Sequence, residues 1–255
     1  MKIIKHFLFL CLFGSLCGCF NTKNAIYFNN LQDSVITRQA AEVEPVITRN
    51  DILNISVSSL SPDASSLFNL GGASAAPAGP SAQASGYLVD GDGLIQFPVL
   101  GHIKAAGLTK RQLADTLTKQ LVNRQLLVDP IISVRQANFH VTVLGDVGRP
   151  GVIPVPNERI SILEAIGNAG DLTIQSKRNN VLLIREEGGK KITRRIDLNA
   201  SDIFTSPYYH LRSNDIVYVE PSALKIKNAN RKQPLFPIIL STISISLLLA
   251  DRIFK

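Results

Sequence analysis

Polar and apolar positions alternate most clearly over residues 48–58, where Leu53, Ile55 and Val57 fall on one side and Asn54, Ser56 and Ser58 on the other. A period of two with one apolar side is that of a half-buried strand. A strand–turn–strand unit follows, made of Tyr87-Leu-Val, a turn over Asp90-Gly-Asp-Gly93, and the run Leu94 to Leu100. The period then becomes helical. Thr109 with Gln112 three places on is a capping-box pattern, and Leu113, Leu117 and Leu121 recur every four residues along one face. After Asp129-Pro130, runs 131–135 and 139–144 read as strands. Residues 151–156, Gly-Val-Ile-Pro-Val-Pro, repeat the Gly, Ile and Pro of residues 93–98, Gly-Leu-Ile-Gln-Phe-Pro. A second capped helix follows, with Ser161 and Glu164 as the box, ending by Gly167 or Gly170. Strands at 181–186, 192–197 and 216–219 complete the unit. The pattern predicts an α+β fold of two related modules in tandem, each a twisted sheet covered by one helix.

Segments without such periods divide the rest of the chain. Residues 20–46 are polar and Asn-rich and read as a tether. Residues 59–86, rich in Ser, Ala, Gly and Pro, read as a flexible insert. The predicted organisation is a signal peptide over 1–18, a tether over 19–46, a first module over 47–144, a second over 145–222, a basic linker over 223–234 and a terminal helix over 235–254.

The start of the chain carries an export signal. A basic stretch with Lys2 and Lys5 precedes an apolar run from Phe7 to Leu16, about ten residues, the length of a signal core and too short to span a bilayer. Leu16-Cys17-Gly18-Cys19 resembles a bacterial lipoprotein signal, with Cys17 at its middle position as a departure. Cleavage before Cys19 would free a thiol for acylation and membrane anchoring.

Charge and cysteine content narrow the function. The net charge is +7, yet eight of the 27 basic residues and one of the 20 acidic residues lie in 1–19 and 225–255, so residues 20–224 are balanced. That argues against a nucleic-acid-binding face on the body and suits ends that meet anionic membrane surfaces. All three cysteines, Cys11, Cys17 and Cys19, lie in the first nineteen residues, which excludes a disulfide or a cysteine metal cage in the body.

Chemistry-bearing motifs are sparse. His102, His140 and His210 are isolated, and neither a nucleophile elbow nor a phosphate loop is present. The Gly-rich run 145–151 leads into Pro150 and a strand, where a dinucleotide loop needs a helix, and reads as a turn between the modules. Asp90-Gly-Asp-Gly93 has Gly101 where a calcium loop needs its twelfth-position carboxylate, and reads as a hairpin turn. Lys190-Lys191 and Arg194-Arg195 read as a solvated face, with a partner or anionic-glycan contact as the alternative. No cofactor, metal or enzymatic activity is expected.

The last segment, Leu235 to Phe254, is twenty residues, about 30 Å as a helix, and predicts a transmembrane span. At 100° per residue, Ser241, Ser244, Asp251, Arg252 and Lys255 share an arc of about 100°, with Pro237 and one interruption at Leu248. Ser241, Ser244, Asp251 and Arg252 are therefore candidate pore-lining residues, the alternative being a plain anchor whose serines bond back to their own helix.

The runs Asn50-Asp-Ile-Leu-Asn-Ile-Ser-Val57, Tyr87 to Gly101 and Leu108-Thr-Lys-Arg-Gln-Leu113 resemble the polysaccharide biosynthesis/export domain of Wza-type outer-membrane proteins. Val143-Leu-Gly-Asp-Val-Gly-Arg-Pro-Gly-Val-Ile-Pro-Val155, with the helix after it, is similar to the β-grasp soluble-ligand-binding (SLBB) module that follows in that family. The resemblance covers roughly residues 48–222. It implies an oligomeric periplasmic ring, lipid-anchored in the outer membrane, that conducts capsular polysaccharide or exopolysaccharide. It also implies an inner-membrane polysaccharide copolymerase or tyrosine-kinase-type partner. A non-pore-forming glycan-binding or sensing lipoprotein is the alternative. The single SLBB-like module and the insert at 59–86 depart from the family pattern.

Overall fold

The structure is a computed structural model that describes residues 26–29, 44–69, 86–229 and 235–253. The first unit is built on strand β1 (Ile52–Ser58), which is the centre of a three-stranded antiparallel sheet between β2 (Tyr87–Leu88) and β5 (Ile131–Gln136). Register pairs Leu53 with Gln136, Ile55 with Val134 and Val57 with Ile132. The alternation expected for β1 holds, since Leu53, Ile55 and Val57 are all buried. Helix α1 (Pro62–Ser66) follows β1, and a hairpin of β3 (Leu94–Phe97) and β4 (Gly101–Lys104) precedes helix α2 (Lys110–Asn123). Thr109 caps α2 by accepting from the Gln112 amide while Gln112 Oε1 accepts from the Thr109 amide, so the expected capping box is formed. Leu113, Leu117 and Leu121 project from α2 into the core, with Ile95, Phe97 and Tyr87 from the strands. A period of four on a helix aligns those leucines on one stripe, and burial of that stripe holds the helix to the sheet.

The second unit carries a five-stranded mixed sheet in the order β10–β9–β12–β6–β7. Its strands are β6 (His140–Gly145), β7 (Gly151–Pro154), β9 (Ser176–Glu187), β10 (Lys190–Ile196) and β12 (Ile216–Pro221). β12 runs parallel to β6 and antiparallel to β9. A small pair, β8 (Ile160–Ser161) with β11 (His210–Leu211), leads into helix α3 (Ile162–Asn168). Ser161 and Glu164 form the second capping box. Val141, Val143, Val181, Leu183, Val217 and Val219 meet Ile162, Ala165 and Ile166 of α3 in one core. Inside this unit Asp215 is about 1% exposed and accepts from Arg185 Nε at 3.0 Å, from an Arg185 terminal nitrogen at 2.6 Å and from the Arg212 amide at 2.7 Å.

Several expectations are corrected. The strands flanking Asp90–Gly93 do not pair with each other. β2 joins β1, and β3 turns back on β4 after Pro98, which lacks an amide hydrogen, and Val99, whose φ is +63°. The segment read as an insert from residue 59 is folded at its start, with Phe68 buried and the Asn69 side chain bonded to the Val57 backbone at both ends. Residues 70–85 of that insert lie outside the described residues. The boundary placed between 144 and 145 moves to the link at 137–139, because β6 belongs to the second sheet. Residues 145–151 are therefore no turn between modules. Within the basic linker, Ala223–Ala229 forms helix α4.

The transmembrane helix expected over 235–254 is also overturned. Leu235–Ile253 is a helix, α5, but among the described residues no helix is long and apolar enough to cross a membrane. The uncharged run from Leu235 to Ala250 is sixteen residues, about 24 Å of helix, against a hydrocarbon core of about 30 Å. Asp251 and Arg252 close it off. Hydroxyls of Thr242, Ser244 and Ser246 interrupt it and donate back to the carbonyls of Ile239, Leu240 and Thr242. The α+β class stands without the span, and it was on that span that the pore-lining reading of Ser241, Ser244, Asp251 and Arg252 rested.

Candidate functional site

The two units meet along a polar seam around Asn138. In the first unit, the loop before β1 presents Asp51, β5 ends on Gln136, and α2 begins at Lys110. The second unit opposes these with Glu158, from the turn after β7, and Ser213, from the turn before β12. Gln136 sits at the centre. Its side-chain amide donates to Asp51 Oδ1 at 2.9 Å and to Ser213 Oγ at 3.0 Å, and its backbone amide donates to Glu158 Oε1 at 2.9 Å. The other oxygen of Glu158 holds the Lys110 ammonium. Asn138 closes the link, accepting from the Ile52 amide at 2.9 Å and donating to the Asn50 carbonyl at 3.0 Å.

Each contact has a local cause. Glu158, whose backbone is left-handed with φ +54°, reaches across to Lys110 at the start of α2. Asp51 is buried and anchored by the Thr48 amide at 2.8 Å, and that burial pushes its carboxyl pKa up despite the hydrogen bonds. Beside the seam Arg212 bonds Glu187 at 2.8 Å, which holds that carboxyl below its ordinary range.

A cavity of about 140 Å³ lies within the seam, bordered by Thr48, Asp51, Gln136, Phe139, Glu186 and Ser213. On the far side of the Lys110–Glu158 pair is an open recess lined by Ser133, Arg135, Pro156 and Asn157. Amides, hydroxyls and carboxylates are the groups that hydrogen-bond sugars, but those of the seam are engaged with one another. What the arrangement does chemically is fix the angle between the units.

The residues singled out from sequence are scattered. His102 lies on β4. His140 lies on β6, with its Nδ1 2.8 Å from the Asn138 carbonyl. His210 lies on β11, next to Arg159. Among the described residues no group of three or more His, Cys, Asp and Glu could hold a metal ion. Asp90 Oδ1 accepts from the amides of Asp92 and Leu94, which keeps its pKa low and makes it a turn residue. On β10, Arg194 bonds the Tyr208 hydroxyl and Arg195 bonds Asn180 and Glu220. Cys19 lies outside the described residues. Sequence reasoning missed the seam roles of Asp51, Gln136, Glu158 and Ser213: Asp51 lies in the quoted run 50–57 but nothing there marks it as a seam residue, and the hydrogen bonds that join these four at Gln136 span 22 to 85 residues.

Comparison with known proteins divides the chain at this seam. The polysaccharide biosynthesis/export protein family matches residues 39–137, and the SLBB domain family matches residues 140–219. Two curated relatives carry the name EPS I polysaccharide export outer membrane protein. That of Ralstonia solanacearum is 30% identical over 139 residues, covering 53% of this chain and 36% of the relative. That of Ralstonia nicotianae is 30% identical over 145 residues, covering 56% of this chain and 37% of the relative. The matched stretch thus spans little more than a third of the relatives' length.

Proposed function

We propose that this chain, in which a polysaccharide biosynthesis/export domain over residues 39–137 is followed by an SLBB domain over residues 140–219, is one subunit of an outer-membrane assembly exporting a capsular polysaccharide or exopolysaccharide. The order of the two modules carries this reading. In it, the subunit closes with copies of itself into a ring that passes the polysaccharide, with an inner-membrane copolymerase or tyrosine-kinase-type protein as its partner below. The seam supports the reading physically. A ring wall needs modules held at a constant angle, and Gln136 and Glu158 tie them through hydrogen bonds and one ion pair. The subunit acts without catalysis, as a conduit. Cys19 carries the acyl anchor, and the body lies in the periplasm.

The test is the size of the particle extracted from membranes in mild detergent, by light scattering and electron microscopy, together with surface polysaccharide in cells lacking the chain. A closed ring and loss of surface polysaccharide, restored by the intact gene, are expected. A monodisperse monomer with polysaccharide export intact would replace this reading by a glycan-binding lipoprotein.

A further inference from the structure

Part of the segment read from sequence as a tether, residues 26–29, is fastened to the second module. Residues Phe28 and Asn29 donate their backbone amides to the carbonyls of Leu198 at 3.3 Å and Asn199 at 2.8 Å. The Phe28 ring packs on Phe204, centroid to centroid 4.9 Å, and both Tyr27 and Phe28 rest on the second core. Tyr27 donates its hydroxyl to Asp171 Oδ1 at 2.5 Å, and the Arg178 guanidinium sits 5.3 Å over its ring. Four residues thus supply two backbone bonds, one side-chain bond, an aromatic pair and a cation–π contact. Burial and the adjacent Asp171 raise the Tyr27 hydroxyl pKa, which keeps it a donor at any physiological pH.

The other end of the body is fastened beside it. Lys225 of α4 donates to Asp146 at 2.5 Å, and Asp146, about 6% exposed, also accepts from Thr173 Oγ1 at 2.9 Å. Asp146 and Asp171 stand on two loops that cross in contact. Gly148 donates its amide to the Asp171 carbonyl at 2.9 Å, and a Cβ on Gly148 would lie 2.4 Å from the Gly170 carbonyl oxygen. Residues 26–29 and the helix 223–229 therefore converge on one corner of the second module. The basic residues Lys225, Lys227, Arg231 and Lys232 follow in sequence from it.

We propose that residues 26–29 are a clip that pins the N-terminal anchor to the SLBB module, so that the Asp146–Asp171 corner of this module, and not the first module, lies against the membrane. The inference rests on acylation of Cys19, as read above. Reach decides the matter. From Cys19 to Ile26 is seven residue steps, at most about 25 Å of extended chain. Among the described residues, the next attachment along the chain is at Val46 and Ile47, which bond to the first module at Thr109 and Leu108. That is 27 steps, about 95 Å, enough to leave the body free to tumble. The clip also moves the attachment from the first module to the second. Lys225 and Lys227, on the helix at the same corner, suit an anionic bilayer surface.

Two measurements test this on the full chain. Hydrogen exchange reads the clip: peptides covering residues 26–29 should exchange at least tenfold more slowly than the intrinsic rate. Tyr27→Ala/Phe28→Ala should restore the intrinsic rate there and leave the β12 core protected. Intrinsic exchange in the unmodified protein would overturn the clip. Depth reads the orientation. A fluorophore on an introduced cysteine at Ile174→Cys or Val128→Cys, both exposed, is compared in phosphatidylethanolamine–phosphatidylglycerol vesicles holding headgroup-quenching lipid. Quenching at 174 should exceed that at 128 several-fold and even out in the Tyr27→Ala/Phe28→Ala variant. Equal or reversed quenching in the unmodified background would overturn the orientation. The mass of the same sample reports acylation. An unacylated N-terminus would sink the anchor reading, while the exchange result still decides the clip.

Discussion

Glu158→Ala removes a side chain of the second module that holds the first at two points. Its carboxylate is about 10% exposed, and it accepts from the Gln136 amide while pairing with Lys110, whose side chain is about 29% exposed. A hydrogen bond to a charged group that is partly buried contributes about 1.5–3 kcal/mol, and an amide left without an acceptor costs about 1 kcal/mol more. The expected loss is about 2.5–4 kcal/mol. Backbone strain does not confound the comparison, because alanine meets the same cost as glutamate at a φ of +54°. For a body of this size that loss lowers Tm by roughly 5–15 °C. Calorimetry of residues 20–255 expressed without the signal segment measures it. Glu158→Gln keeps an acceptor for the Gln136 amide and loses the charge, so its loss should fall to about 1–2 kcal/mol. The cycle with Lys110→Met should return a coupling of about 1 kcal/mol or more, since the two groups touch. A Glu158→Ala protein within about 1 kcal/mol of the parent, with no coupling to Lys110, would refute the idea that this carboxylate ties the modules.

Four further outcomes follow from the sequence and the fold. Cys19→Ser should leave an uncleaved precursor, and mass spectrometry of the mature N-terminal peptide should find acyl chains on Cys19 in the parent; an unmodified peptide refutes the anchor. Asp215→Ala strands Arg185, about 4% exposed, and should cost about 3–5 kcal/mol in urea unfolding, most of it recovered in Arg185→Met/Asp215→Leu. Glu220 is held at a pKa of about 2, below its ordinary 4.5, by hydrogen bonds from Lys177 and then Arg195. A depressed carboxylate pKa contributes stability that is complete above 4.5 and is lost as pH falls through about 2, so the Tm gap between the parent and Glu220→Gln should narrow over that window and shrink with salt. Deletion of residues 71–85 should leave Tm within about 2 °C, whereas extending it through Phe68 should lower stability by about 3 kcal/mol, since Phe68 is a buried aromatic.

Local signals in the chain were sufficient for most elements. The alternation of β1, the leucine row of α2 and both capping boxes each depend on residues within four positions of one another, and the fold realises them. The module order was legible for the same reason, being a succession of short motifs. Allegiance was not. Residues 139–144 form an apolar run that would fill either sheet. Only the parallel pairing of Thr142 with Ile216 and of Val143 with Val217, more than seventy residues apart, assigns β6 to the second module. The β2 and β3 runs looked like one hairpin because a tight turn joins them, yet their strand partners lie elsewhere. The apolar count of 235–254 suggested a span, where serines and the Asp251-Arg252 pair shorten the run below bilayer thickness. The seam at Gln136 and Glu158 and the clip at Tyr27 and Phe28 have no sequence signature. Each is a contact between side chains or amides brought together by two closed cores, and burial, charge and distance at such a contact are properties of the folded chain alone.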